Sequence, residues 1–220
     1  NKEDVKMNIE LIYISPDAEG TCETGARVCY DSNDKMTEKS RASILPTLLR
    51  SGHISIFEHS SASFKIDGIS RTASHQIVRH RMSSFSQRSQ RYVNEGDFSF
   101  VTPPSIEQNP EANSCYQEIM TTLNEQYTKL IKLGIKKEDA RFILPNATST
   151  TLVMTTNFRE WLHVIDMRVS KPAQWEIREL LILIWKELYQ HAPNVFCMHY
   201  FNAWSKDADY KNTIFNERIK

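Results

Sequence analysis

Cysteine is scarce in this sequence, and its spacing excludes two common uses. The four residues, Cys22, Cys29, Cys115 and Cys197, form no CxxC pair and no zinc-like cluster. They read as reduced thiols, as in a cytosolic protein. Long apolar runs are also missing. The longest, Leu180-Leu181-Ile182-Leu183-Ile184-Trp185, has six residues, against about 20 for a membrane span. The N-terminus lacks the apolar stretch of a signal peptide. The expected setting is therefore cytoplasmic, with no membrane partner. Net charge is absent as well: 27 Lys and Arg balance 27 Asp and Glu. A neutral chain is a poor general nucleic-acid binder, so no nucleic-acid partner is expected.

What is present suits one globular domain over residues 1–220, with residues 1–6 read as an extension ahead of Met7. With 40% hydrophobic residues, a core can form without disulfides. Residues 8–15 read as a strand with Ile9, Leu11 and Tyr13 on one face. Residues 38–51 read as a helix carrying Ile44, Leu45, Leu48 and Leu49, stopped by Gly52 and made irregular by Pro46. Residues 61–66 alternate as a half-buried strand does, and residues 69–79 look helical. Tyr116, Ile119, Met120, Leu123, Tyr127, Leu130 and Ile131 recur at helical spacing, ending near Gly134. Residues 149–156 form a Thr- and Val-rich strand. Asn157 is a candidate N-cap for the following helix. Residues 173–191 are a last helix with Ile177, Leu181, Ile184 and Leu188 inward and Pro193 beyond. There are no internal repeats. This order gives a mixed α+β fold.

Charge distribution is more informative than its total. Residues 68–94 contain five arginines (Arg71, Arg79, Arg81, Arg88 and Arg91) and no Asp, Glu or Lys. The excess must be balanced elsewhere or by a bound anion. Arginine's planar fork grips phosphate or carboxylate through two parallel hydrogen bonds. The serines and glutamines of the segment add neutral donors and acceptors. The expected layout is a helix ending at Arg81 and then a polar loop through Tyr92. Taken alone, such a segment fits three readings: a solvated basic loop, an RNA-binding arginine-rich stretch, or an anion site.

Within it, Arg79-His80-Arg81 is followed by seven residues and Ser89. This RHR-x7-S pattern resembles the signature of the flavin-dependent thymidylate synthases. Gly52-His53-Ile54-Ser55-Ile56-Phe57-Glu58-His59 resembles that family's GHxSxxEH stretch. Ala140-Arg141-Phe142-Ile143-Leu144-Pro145 resembles its ARxxLP stretch. Asn157-Phe158-Arg159, Arg168 and Ala173-Gln174-Trp175-Glu176-Ile177-Arg178 follow in the same order. The resemblance runs from about Met7 to Trp204. It implies helices packed around a central, mostly antiparallel sheet, and a homotetramer with active sites where subunits meet. It also implies conversion of dUMP to dTMP with FAD, NADPH as reductant and 5,10-methylenetetrahydrofolate as carbon donor, without a cysteine nucleophile.

The resemblance also assigns roles. Arg79, His80 and Arg81 would contact FAD, with Ser55, Gln87, Asn157, Arg159 and His163 completing that site. Gln76, Arg79, Gln87, Arg88, Ser89, Gln90, Arg91 and Arg141 would surround dUMP, whose phosphate carries about −1.5 to −2 charges. Arg168 would lie against the uracil and stabilise negative charge. His53 would assist on the folate side. Ser89, with no adjacent base, reads as an orienting residue rather than a nucleophile. Gln87 and His163 depart from some members, which have Glu and Asn there. No metal is expected, although Cys197, Met198 and His199 stand together.

Several of these residues also have bland readings. His53 and His75 can be purely structural, Glu58 and His59 a structural pair, and Trp175 and Trp185 core. The competing functions are a binding protein that keeps the fold without the activity, and an arginine-rich RNA-binding module.

Overall fold

The computed structural model describes residues 5–197. The start of the N-terminal extension, and Met198, His199 and Trp204, lie outside them. Among the described residues, four strands form one antiparallel sheet in the order β1-β2-β4-β3, and eight α-helices accompany it. The α+β expectation, with helices around a mostly antiparallel sheet, is met.

Strand β1 (Asn8–Ile14) is an edge strand. Ile9 and Leu11 are half-buried, but Tyr13 is 47% exposed. The expected three-residue face therefore stops short, because the half-buried position at the strand's end passes to Ile14. Helix α1 (Ala18–Val28) was not legible in the sequence. Its two glycines lower helix propensity, yet both lie where the helix is approached closely. A Cβ at Gly25 would come within 2.8 Å of the His59 ring, and one at Gly20 within 2.6 Å of Arg41. Helix α2 (Glu38–Arg50) starts on a reciprocal capping box between Thr37 and Ser40 and contains Pro46. Gly52, with φ 76°, turns the chain beyond its end.

Strand β2 (Ser61–Ser70) extends past the expected end at Ile66. Gly68 has φ 73°, and a Cβ there would meet the Lys6 carbonyl oxygen at 2.5 Å, so only glycine fits. The arginine-rich segment differs from expectation. Helix α3 (Arg71–Ile77) begins where the Ser70 side chain accepts from the Ala73 N–H, and it stops four residues before Arg81. What looked like polar loop contains strand β3 (Ser84–Gln87). Its serines and glutamine carry no apolar alternation, so pattern reading could not find it.

Short α4 (Pro104–Glu107), long α5 (Pro110–Lys132) and short α6 (Lys137–Ala140) follow. Strand β4 (Ser149–Asn157) alternates strictly, burying Thr150, Leu152, Met154 and Thr156. At its end the Asn157 side chain accepts from the Glu160 N–H and starts α7 (Phe158–Arg168), as its candidate cap role required. Helix α8 (Trp175–His191) begins two residues later than expected, capped by Gln174. It buries Ile177, Leu181, Ile184, Leu188 and Trp185, whereas Trp175 is only half-buried.

The described residues cluster into two compact units, each drawn from three stretches of chain. The first gathers residues 5–8, 65–79 and 85–153. Its core includes Ile66, Ile77, Phe98, Met120 and Tyr127. The second gathers residues 9–64, 80–84 and 154–197. Phe64 meets Trp161 edge-on at 5.4 Å, and Phe158 meets Phe196 at 4.9 Å. The buried indoles are satisfied: Trp161 Nε1 donates to the Ala62 carbonyl and Trp185 Nε1 to the Phe196 carbonyl.

A buried carboxylate ties α1 to α2 in this second unit. Glu23 is fully buried. Its Oε1 accepts from Arg27 Nε at 3.1 Å, Arg27 Nη2 at 3.0 Å and Ser40 Oγ at 2.6 Å. Arg41 Nε stands 3.4 Å from Oε2, close enough for an ion pair but not aligned as a hydrogen bond, while its fork holds Asp17. Removing one partner of a buried ion network costs about 3–5 kcal/mol. Glu23→Ala is therefore expected to lower thermal and denaturant stability by that amount. A change under about 1 kcal/mol in a denaturant titration would show that the network does not hold α1 in place.

Candidate functional site

Two clusters of polar residues stand out, one in each unit. In the first, Arg71 opens α3 and donates from Nη2 to the Arg88 carbonyl at 2.8 Å. Its Nε is buried with no hydrogen-bond partner among the described residues. The backbone N–H of Arg88 is held by the Thr151 carbonyl at 2.9 Å, and its Nη2 pairs with Glu95 at 3.2 Å. Glu95 is buried. Burial raises its pKa, against the opposing pull of Arg88 and then Arg71. The Arg71 pKa is lowered, first by burial, while Glu95 pulls the other way and Arg141 and Arg88 add repulsion. Two guanidiniums, Arg88 and Arg71, thus share the field of one carboxylate whose ionisation burial opposes, and Arg141 adds its repulsion to Arg71. The cluster is short of negative charge.

Around it, Gln87 at the end of β3 donates from Nε2 to Ser74 Oγ at 2.9 Å and to Thr150 Oγ1 at 3.3 Å. Ser89 Oγ accepts from the Arg91 N–H at 3.2 Å, and among the described residues no imidazole or carboxylate is bonded to it. Gln90 is half-buried, with Nε2 unpartnered among the described residues. Arg91 pairs with Glu138 at 3.3 Å and lies over the Tyr92 ring. Arg141 donates from Nε to the Glu138 carbonyl. Gln76 is half-buried on α3, His75 is exposed on it, and Arg79 is exposed beyond its end. A separate cavity of about 1020 Å³ runs along α5. It is lined by lysines and carboxylates and by no arginine, so it offers no fork for a phosphate.

The second cluster is built on α7. Arg168, its last residue, donates from Nε to His80 Nε2 at 3.0 Å. His80 is 6% exposed. Its other nitrogen, Nδ1, faces Glu160 Oε1 at 3.7 Å, and the His163 ring lies edge-on at 6.1 Å. Burial above all, then the charge of Arg168 and His163, push the His80 pKa down from 6.5 to about 4. The Glu160 pKa is raised, chiefly by burial. His80, Glu160 and His163 offer ligand atoms within 4.8 Å of one another. The adjacent guanidinium already engages His80 Nε2, and its charge opposes a cation there, so the trio is not organised for a metal. Arg159 pairs with Glu58, so the expected Glu58–His59 pair is replaced by one between a 3-10 turn and α7. The reason is distance in the fold, since neighbours along the chain need not face each other. His53, Ser55, Arg81 and His163 are exposed. Asn157 spends its side-chain oxygen on the cap of α7.

Sequence reasoning gave no role to Arg71, Glu95, Glu138 or Glu160. Arg71 was visible as one of the five arginines. Glu95 is the first acid after the acid-free segment, and Glu160 follows Arg159 directly. Nothing marked Glu138.

Residues 10–194 match the family described as thymidylate synthase complementing protein. The chain is 41% identical over 198 residues to the flavin-dependent thymidylate synthase of Geobacter sulfurreducens, covering 86% of this chain and 85% of that one. It is 40% identical over 202 residues to that of Mycolicibacterium vanbaalenii, covering 83% and 81%. A crystal structure of a UMP/dUMP methylase from Streptomyces cacaoi, bound with 5-Br dUMP, superposes with a TM-score of 0.78 at 21% identity, over 92% of this chain and 96% of that one. At that identity the likeness concerns the fold alone.

The His80 shift has a measurable consequence for stability. The folded state favours the neutral ring, so this contribution is complete above pH 6.5 and is lost as pH falls through about 4. His80→Gln is expected to make the decline of stability over that window shallower. Parallel slopes for the two proteins in pH-dependent denaturant titrations would contradict the buried neutral ring.

Proposed function

Because the chain belongs to the flavin-dependent thymidylate synthase family, we propose that it methylates dUMP to dTMP. In this reading FAD is reduced by NADPH, 5,10-methylenetetrahydrofolate donates the carbon, and no cysteine attacks the uracil. The observation that carries the reading is the charge-deficient cluster in which Arg71 and Arg88 share buried Glu95 and Arg141 repels Arg71. A phosphate dianion supplies the missing negative charge, and the orphaned Nε of Arg71 and Nε2 of Gln90 are donors in search of an acceptor.

The chain's own residues then divide the work. Arg88, Arg91 and Arg141 grip the phosphate, with Gln76, Arg79, Gln87, Ser89 and Gln90 orienting the nucleotide. Ser89 orients rather than attacks, since no base is bonded to its hydroxyl. Arg168 places a permanent cation where negative charge develops on the uracil. Its Nη1 and Nη2 have no hydrogen-bond partner among the described residues. His53 serves the folate side.

The cysteines support the same division. Cys22 is fully buried, and burial pushes its thiol up to about 11, far from a usable thiolate. Cys29 and Cys115 are exposed on or beside helices.

For FAD, the fit rests on exposed groups: Arg79 and Arg81 have no acid partner among the described residues, and Ser55 and His163 are open. Gln87, Asn157 and Arg159 complete this set. When bound, FAD supplies the two-electron hydride chemistry that side chains cannot. The active form is a homotetramer with sites where copies meet. The setting is the cytoplasm; among the described residues no helix is long and apolar enough to cross a membrane.

Arg168→Ala is expected to lower dTMP formation by roughly 10²–10³-fold, as loss of one preorganised charge donor does, with flavin content unchanged. Turnover and the flavin absorbance of the same preparation check both halves. Normal turnover would remove Arg168 from the chemistry. In the wild-type protein supplied with FAD, dUMP is expected to shift the flavin spectrum. A folded protein that binds neither would overturn the synthase reading.

A further inference from the structure

The resemblance treats His80 as a flavin contact, but its surroundings point elsewhere. The ring is 6% exposed, and its Nε2 is occupied by the Nε–H of Arg168 at 3.0 Å. A guanidinium is always protonated and can only donate. The accepting nitrogen must therefore carry no proton, which puts the single proton of the neutral ring on Nδ1. Nδ1 faces Glu160 Oε1 at 3.7 Å. That is too long for a hydrogen bond, but it sets a carboxylate against the N–H end of the ring.

We propose that His80 is a positioning residue for Arg168, a neutral imidazole whose unprotonated Nε2 accepts from the guanidinium and aims it, with its proton on Nδ1 facing the Glu160 carboxylate. The inference rests on the reading of Arg168 given above. An arginine side chain has several rotatable bonds, and a cation that must meet a developing charge loses effect when it is misplaced by about 1 Å. The bond from Nε fixes the plane of the guanidinium, and neither Nη group has a hydrogen-bond partner among the described residues. Burial keeps water from competing for the imidazole.

The groups facing His80 agree with this role. Among the described residues these are on α7: Arg168 and His163, whose charges oppose protonation, and Glu160, whose carboxylate stands 3.7 Å from Nδ1. The neighbouring Arg79 and Arg81 are exposed. Burial above all, with Arg168 and His163, keeps the ring neutral until the pH approaches about 4. Around neutrality the acceptor is always available. A protonated ring would have no lone pair for Arg168 and would repel it.

The test uses the FAD-loaded wild-type protein with His80→Phe, His80→Gln and Glu160→Gln. In His80→Phe the shape stays and the acceptor is lost; in His80→Gln an acceptor oxygen stands near the former Nε2. Flavin content and the dUMP dissociation constant are expected to stay within about twofold in both. The kcat of His80→Phe is expected to fall roughly 10- to 100-fold, the range for losing a hydrogen bond to a charged group, and His80→Gln is expected to recover most of it. In an Arg168→Lys background, His80→Phe is expected to cost nothing further. Nitrogen-15 spectra of histidine-labelled wild type, with the His80 signals identified by their loss in His80→Phe, are expected to show an unprotonated Nε2 and a protonated Nδ1 at pH 7. Glu160→Gln is expected to keep the same tautomer, because the Arg168 donor still requires an unprotonated Nε2.

Loss of flavin together with activity, full kcat in His80→Phe, or an Nε2–H or doubly protonated ring at pH 7 would each overturn the proposal. A wild-type protein that forms no dTMP would sink the synthase reading instead. The nitrogen spectra would still decide the pairing of His80 with Arg168.

Discussion

An arginine removed from water needs a carboxylate, a carbonyl or a ligand anion, and this chain concentrates arginine where it has no acid. The acid-free segment therefore draws its counter-charges from other parts of the chain. Glu95 serves Arg88, and Glu138 serves Arg91. Arg71 turns instead to the Arg88 carbonyl and keeps one buried donor unpaired. The compensation is incomplete, and incomplete compensation is what a phosphate-binding site requires of a protein with no net charge. A fully paired cluster would be more inert and would have nothing left to offer a ligand.

The second cluster uses the same economy on a smaller scale. Arg168 has no carboxylate partner among the described residues; its partner is a neutral imidazole. An ion pair there would cancel the charge that the proposed chemistry needs, whereas a neutral acceptor orients the guanidinium and leaves its charge intact. Burial is what keeps His80 neutral beside it. Glu160, one turn from His163 on α7, stands near the ring without forming a hydrogen bond to it.

Both clusters depend on backbone features that local sequence does specify. The strict alternation of β4 sends Thr150 inward, where its hydroxyl meets Gln87. Asn157 ends that strand and caps α7, which sets the turn on which Arg159, Glu160 and His163 lie. A cap residue and a candidate flavin residue are thus the same side chain, and its oxygen is already committed to the Glu160 N–H.

Periodicity was legible wherever one face of an element is buried, as in β4, α5 and α8, because burial imposes the period that pattern reading detects. It failed for α1, where glycines permit close approach, and for β3, a four-residue strand without an apolar face. The spaced motifs carried the family, since they persist as residue types at fixed distances along the chain. By itself, then, the sequence determined the fold class, the family and the set of residues that carry charge. The tertiary structure decided which of those charges are cancelled. Glu95, Glu138 and Glu160 acquire meaning only from what they face across 7, 47 and 80 positions of chain. Counter-ion pairing is set by distance in space, and a linear pattern holds no record of that distance when the partners come from different elements.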